Sequence, residues 1–304
     1  MVAVNSMMDS LSSFWHSGTR AERVGYVAGA LLMISGVVHL VILMASGGSW
    51  EGPLSLRKPA TFGFSFGLTL ITIVWVASFL ELGSRARAML LSVFTAACTL
   101  ETALVTLQAW RGVPSHFNTE TRVDALVARA LAVGGAALVI VIFTLTVTSF
   151  RTNAKFPMSL LIAIRTGFVA LLSAQIIGGL MIARGMTLVF RGNPQAAYAT
   201  GGMLKATHAV TMHGILVLPA LAWLLSFTNW SETRRVRVVV AATVGYLLVV
   251  GMVAVANVSG LDQQRLPLSM SVILILGAVS LVVAGGVALV GVTRAPIGNG
   301  IRHG

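Results

Sequence analysis

Two histidines, His208 and His213, stand five positions apart in the apolar stretch "KATHAVTMHGILVLP". Imidazole nitrogens there could ligate haem iron or relay protons. A third, His39, lies in "SGVVHLVILMAS", and "CTLETALVTLQAWRG" sets Glu101 and Gln108 on one helical stripe with Cys98 and Val105. Carboxyl, amide and imidazole groups inside apolar segments are the raw material of a proton relay, a cofactor seat or a polar-solute site. Two short polar stretches accompany them. "SWEGPLSLRKPATFGFSFG" puts Arg57 and Lys58 directly before Pro59, so two cations and the free N–H groups of a helix start would meet as an anion or phosphate seat. An interfacial tryptophan with snorkelling bases explains the same residues equally well. "QAWRGVPSHFNTETRVDA" gathers Arg111, Ser115, His116, Asn118, Glu120, Arg122 and Asp124 around a Gly-x-Pro turn, the composition of a structured lid. Its plainer reading is an interfacial loop in which Asn118 or Thr119 caps the next helix.

Geometry limits what the histidine pair can do. Positions five apart on a regular helix are separated by about 140° around the axis and about 7.5 Å along it, so His208 and His213 do not share a face. One ion cannot take both, unlike the i, i+4 pair of the H-E-x-x-H zinc proteases, unless Gly214 or Pro219 distorts the helix.

These residues must be positioned by membrane-spanning helices. The chain of 304 residues is 56% hydrophobic and 10% charged, with a mean hydropathy of +0.89, whereas soluble domains carry about 25% charged residues. Apolar runs long enough to cross a bilayer recur at roughly 24–46, 59–81, 88–110, 125–149, 158–183, 204–228, 236–258 and 268–293. The fold expected is all-α: one polytopic transmembrane bundle of about eight helices over residues 1–304, with no soluble domain. The first 20 residues lack the basic start and apolar centre of a secretory signal, so the first span reads as an uncleaved anchor. The single cysteine, Cys98, excludes a disulfide framework and a cysteine metal cluster, and no metal site is expected. The net charge of +12 is scattered over loops at the membrane edge, which fits lipid headgroups and not nucleic acid. With the N-terminus inside, eleven basic residues fall on the cytoplasmic side, Lys155 and Arg302 among them, against nine outside, which favours cytoplasmic termini.

Alternation of spans then fixes depth. His39, Glu101, Gln108, His208 and His213 all fall in the outer halves of their helices, and Arg57, Lys58, Arg111 and His116 lie above them. One polar site at a common depth is the expectation, with His39, Glu101, Gln108, His208 and His213 binding a cofactor and Arg57, Lys58, Arg111, His116 and Asn118 an anionic ligand. Taken singly, any of these is more simply an interhelical hydrogen bond. Gly63 and Gly67 form G-x-x-x-G, a close-packing face.

Three stretches carry a resemblance. "RKPATFGFSFG" (Arg57, Lys58, Pro59), "QAWRGVPSHFN" (Gln108, Arg111, Gly112, Ser115, His116, Phe117, Asn118) and "HAVTMHGILVLPALAWLL" (His208, His213, Leu218, Pro219) resemble the signature stretches of a family of uncharacterised polytopic bacterial inner-membrane proteins. The resemblance covers the first six spans and implies a bacterial cytoplasmic membrane. It brings no activity. The pattern has an acidic residue before the first histidine and Gln three residues after the second, where this chain has Met203 and Leu216, so the network around its histidines is expected to be thinner.

Four functions suit such a site. The first expected is binding of a redox cofactor or amphiphile, haem b or quinone, with His39 and a histidine of the sixth span as axial ligands and the outer cations on the propionates. The second is transport of a small anionic solute or proton-coupled ion, with Glu101 and the histidines as relay. A metal-dependent membrane hydrolase and an accessory or assembly subunit, with a membrane-protein partner or a second copy, follow.

Overall fold

The computed structural model describes residues 2–152, 156–199, 201–262 and 265–294. Lys155, Arg302 and the side chain of Met203 lie outside what is described. The regular elements among the described residues are all helices: α1 (Val2–His16), α2 (Arg20–Ser46), α3 (Arg57–Ala77), α4 (Ser84–Trp110), α5 (Arg122–Arg151), α6 (Met158–Phe190), α7 (Pro194–Ala199), α8 (Gly201–Met212), α9 (Gly214–Ser226), α10 (Glu232–Val258) and α11 (Leu268–Thr293). Eight segments are long and apolar enough to span a membrane, with α8 and α9 together making one of them. The chain is an integral, multi-pass membrane protein.

Local chemistry sets the ends of these helices. Thr19 and Glu22 close a capping box at the start of α2, and Gly47, at φ 63°, ends that helix in the left-handed conformation that glycine adopts without strain. Ser231 caps α10. The cap of α5 is Thr121, whose hydroxyl accepts from the Asp124 N–H, and neither Asn118 nor Thr119 takes that place. The polar first residues, which lie outside the eight apolar runs, form α1. Its Phe14 docks against Trp75 and Phe79 while Met8, Leu11 and Trp15 stay exposed on an apolar stripe.

Glycines decide how the first spans meet. A Cβ at Gly63 would stand 2.6 Å from the Gly36 nitrogen, and one at Gly67 2.6 Å from the Gly29 carbonyl oxygen. The G-x-x-x-G face of α3 thus lies directly on the backbone of α2. α4 packs on α2 and α3, and α5 on α4. A second group, α6 with α8, α9, α10 and α11, joins the first through contacts of α5 with α6 and of α3 with α9. At one end of the bundle Trp75, Phe79, Phe156, Trp223 and Phe227 make edge-to-face contacts at 4.9–6.1 Å, bringing together α3, α9 and the segments that follow α3 and precede α6. The opposite end, where α3 begins and α4 ends, holds Lys58.

The sixth span breaks at His213, between α8 and α9. Its carbonyls do not go unpaired: the Tyr246 hydroxyl of α10 reaches those of Val210 and Thr211, the latter at 3.0 Å. Gly214 leaves room for the Tyr246 ring, which a Cβ would approach to 2.9 Å.

Candidate functional site

The residues expected to form one site divide among separate surroundings, and the division follows from helix pairing. His39, on α2, donates from Nδ1 to the Ser35 carbonyl at 2.7 Å and accepts at Nε2 from the Trp110 indole N–H at 3.0 Å. Both nitrogens of this buried imidazole are thereby used, one of them by a tryptophan that is itself exposed. His208, on α8, donates from Nδ1 to the Ala174 carbonyl of α6 at 2.8 Å, and its ring lies beside Gly178. His213 is exposed and bonds only to the Ala209 carbonyl of its own helix. The angular offset between the two helix-six histidines is kept, one turned toward α6 and the other away from the bundle. A bis-histidine haem seat needs a free nitrogen from His39 directed at a partner histidine, and this arrangement does not supply it. Among the described residues no three His, Cys, Asp or Glu side chains are grouped to hold a metal ion.

The stripe on α4 is buried as a unit, with Cys98, Val105 and Gln108 fully covered and Glu101 4% exposed. It faces α5, and because the two helices run antiparallel their residues pair level by level. At the Lys58 end, Gln108 donates to Asp124 Oδ1 at 3.0 Å. Arg111 donates to the same oxygen at 2.7 Å and also to the Gln108 side-chain oxygen. The Thr121 hydroxyl donates to Asp124 Oδ2 at 2.6 Å, so one carboxylate closes the junction of helix and loop. One turn deeper, Val105, Val127 and Leu131, with Phe62 and Leu104 against them, form an apolar collar. Below the collar Glu101 meets Gly134, where an added Cβ would stand 2.6 Å from Oε1. That oxygen is buried with no hydrogen-bond partner, as are the hydroxyls of Thr102 and Thr106 on the same helix. An unpaired buried carboxyl oxygen is costly, and the Gly135 backbone N–H on the facing turn of α5 is the group close enough to relieve it.

Lys58 completes the arrangement from α3. Its ammonium donates to Ser115 Oγ at 2.5 Å and lies 3.3 Å from His116 Nδ1. Lys58 and Glu101 are within each other's electrostatic reach. The other two cations of the expected anion seat are already engaged. Arg57 donates to the Trp50 carbonyl at 2.8 Å and lies 3.7 Å from Glu51, while Arg111 is paired with Asp124. The first turn of α3 offers no spare donor either, since the Arg57 N–H goes to Ser55 Oγ, the Lys58 N–H to the Ser55 carbonyl and the Ala60 N–H to the Leu56 carbonyl. An anion at this point would be held by Lys58 and the loop side chains alone.

The loop between α4 and α5 is built as a latch. Phe117 adopts φ 66°, a left-handed conformation that strains a bulky residue, and its ring packs where Gly185 of α6 leaves space for it. Asn118 is fully buried; its Oδ1 accepts from the Glu120 N–H at 3.1 Å and its Nδ2 has no partner. Burial and the Lys58 ammonium push the His116 imidazole down to about 3 from its ordinary 6.5. Burial, with the negative charges of Glu120 and Asp124, raises the Tyr198 phenol of α7.

Trp110, Gly134, Gly185 and Tyr198 went unnoticed in the sequence. The Gly-Gly pair inside "AVGGAAL" was the only signal for Gly134. Comparison of the chain with protein-family models, with curated proteins and with solved structures returns no match.

Proposed function

We propose that the protein is a transporter of the bacterial cytoplasmic membrane, with both termini inside, in which Glu101 carries a proton coupled to movement of a small anionic solute. The observation that carries this reading is the Glu101 carboxyl itself, 4% exposed in a membrane-spanning helix, with one oxygen unpartnered against Gly134 and the Lys58 charge within reach. An ionisable group at membrane depth is expensive, and one facing the bundle interior with a named counter-charge fits a proton relay. Gain or loss of one proton at Glu101 changes the charge opposite Lys58. The Lys58 contacts to Ser115 and His116 tie that change to the latch, and a solute anion would take the place that Lys58 gives to the hydroxyl. The bacterial membrane and the orientation rest on the motif resemblance and on the balance of basic residues.

The redox reading gives way to this one because His39 has no nitrogen to offer, while no such engagement removes the Glu101 oxygen. The test is proton flux into proteoliposomes loaded with a pH-sensitive dye. Protein-dependent flux abolished by Glu101→Gln, in a variant that purifies folded, is the expected result; flux unchanged by that substitution refutes the assignment. A visible spectrum of the same preparation, oxidised and dithionite-reduced, separates the readings, since a Soret band would return haem to first place.

A further inference from the structure

At the end of the bundle remote from Lys58, a groove of about 520 Å³ opens along α11, beside Trp230 and the first turn of α10. Its walls are Trp230, Arg234 and Arg294 at the mouth and Val283, Gly286 and Val287 further in. The spans α10 and α11 are the least buried of the eight, so the groove faces the surroundings of the bundle and not its core.

The groove combines two chemistries in a fixed order. The Arg234 guanidinium lies over the Trp230 ring at 3.9 Å, and the ring itself rests on Gly291, where a Cβ would stand 2.7 Å from it. Neither Arg234 nor Arg294 has a carboxylate partner among the described residues. Two guanidinium groups without a carboxylate partner among the described residues therefore sit at the membrane edge beside an aromatic side chain of the kind enriched there. From Arg294 the groove descends α11 to Val283, eleven residues that at about 1.5 Å each reach about 16 Å, the thickness of one leaflet of hydrocarbon. Gly286 has open space where its side chain would be, and it lies on that descent. A positively charged mouth at headgroup level, continued by an apolar slot one leaflet deep, is complementary to an anionic lipid.

We infer that this groove on α11 is a binding site for an anionic glycerophospholipid, with its phosphate held by Arg234 and Arg294 and one acyl chain lying along Gly286. The phosphate accepts from both guanidinium groups. The chain covers valine surface that no other helix covers. A zwitterionic lipid fits the slot and gains little at the mouth, because its own ammonium competes for the phosphate.

The experiment uses the full chain purified in detergent, offered phosphatidylglycerol or phosphatidylcholine of the same acyl composition, with retained lipid counted by native mass spectrometry. At about fivefold per arginine, the native protein retains the anionic lipid about twenty-five-fold better. Arg294→Gln lowers that preference about fivefold, and the double change Arg234→Gln with Arg294→Gln removes it. Gly286→Leu, which fills the slot and leaves both charges, lowers retention of both lipids. The single change at exposed Arg294 decides the matter if the double variant does not fold. Equal retention of the two lipids by the native protein, or a preference untouched by Arg294→Gln, overturns the assignment. So does displacement of the lipid by inorganic phosphate alone, which would reduce the site to an anion seat. A dimer peak lost in Gly286→Leu, in place of a lipid peak, would give the groove to a second copy of the chain and overturn it too.

Discussion

Replacing Gly134 with alanine tests whether the space beside Glu101 is reserved for its carboxyl, because the neighbouring glycine provides the control. Both sit in α5, so each substitution gains the helical preference of alanine over glycine, about 1 kcal/mol. A Cβ at Gly135 meets nothing within 4 Å, and Gly135→Ala is therefore expected to stabilise the protein by up to that amount. A Cβ at Gly134 would stand 2.6 Å from Glu101 Oε1 and 3.4 Å from its Cγ and Cδ, so the buried carboxyl must move. Overpacking of this kind costs about 1–3 kcal/mol, which leaves Gly134→Ala neutral to about 2 kcal/mol less stable. The two alanines should thus differ by about 1–3 kcal/mol in unfolding of the detergent-solubilised protein. Glu101→Ala should relieve the clash, so the double variant with Gly134→Ala should show a coupling of the same size. In proteoliposomes Gly134→Ala should lose proton flux and Gly135→Ala should keep it. Two alanines within about 0.5 kcal/mol of each other, or a clash that Glu101→Ala does not relieve, would refute the placement of Glu101 against this helix.

Trp110→Phe leaves His39 Nε2 without its donor in a part-buried contact and is expected to cost about 1 kcal/mol in the same unfolding measurement, whereas Trp110→Phe combined with His39→Leu should cost less than the sum. Acid should loosen the latch. His116 binds its proton near 3 when folded and near 6.5 when not, so the unfolded state holds more protons between those values. The stabilisation is complete above pH 6.5 and is lost progressively as pH falls toward 3. The protection factors of amides in the loop following α4 should fall over that window, and His116→Asn should flatten the profile. Lys58→Gln should raise the loop's exchange at neutral pH by removing the cation that holds Ser115; unchanged exchange would mean that the Phe117 wedge alone keeps the latch shut.

The spans were legible because lipid demands long apolar runs, and the buried α4 stripe of Cys98, Glu101, Val105 and Gln108 because helical periodicity places every fourth or third residue on one face. The angular separation of His208 and His213 was legible for the same reason. Periodicity gives the phase of a helix and says nothing about which helix lies opposite. His39 was therefore grouped with the other histidines by depth, when its neighbour across the α2–α4 contact is Trp110. The sequence singled out Glu101 as a candidate, but not Gly134, which identifies the wall it faces. The anion seat before Pro59 was read from two cations and a helix start. A serine two residues upstream of Arg57 consumed the spare N–H, a local contact that residue types alone do not announce. Helix α1 was missed because a short amphipathic segment gains its order from Phe14 packing on Trp75 and Phe79, partners more than fifty positions away.

The backbone contact between α2 and α3 has a practical consequence. With glycine on both surfaces and backbone against backbone at Gly29, Gly36, Gly63 and Gly67, the two helices cannot slide without colliding, so they form a double-width strut whose internal spacings stay constant while other parts of the protein rearrange. Probes placed on the two ends of that strut would act as a built-in ruler. Distances from it to α5 and to α10 would then separate true displacement of those helices from overall breathing of the micelle or bilayer.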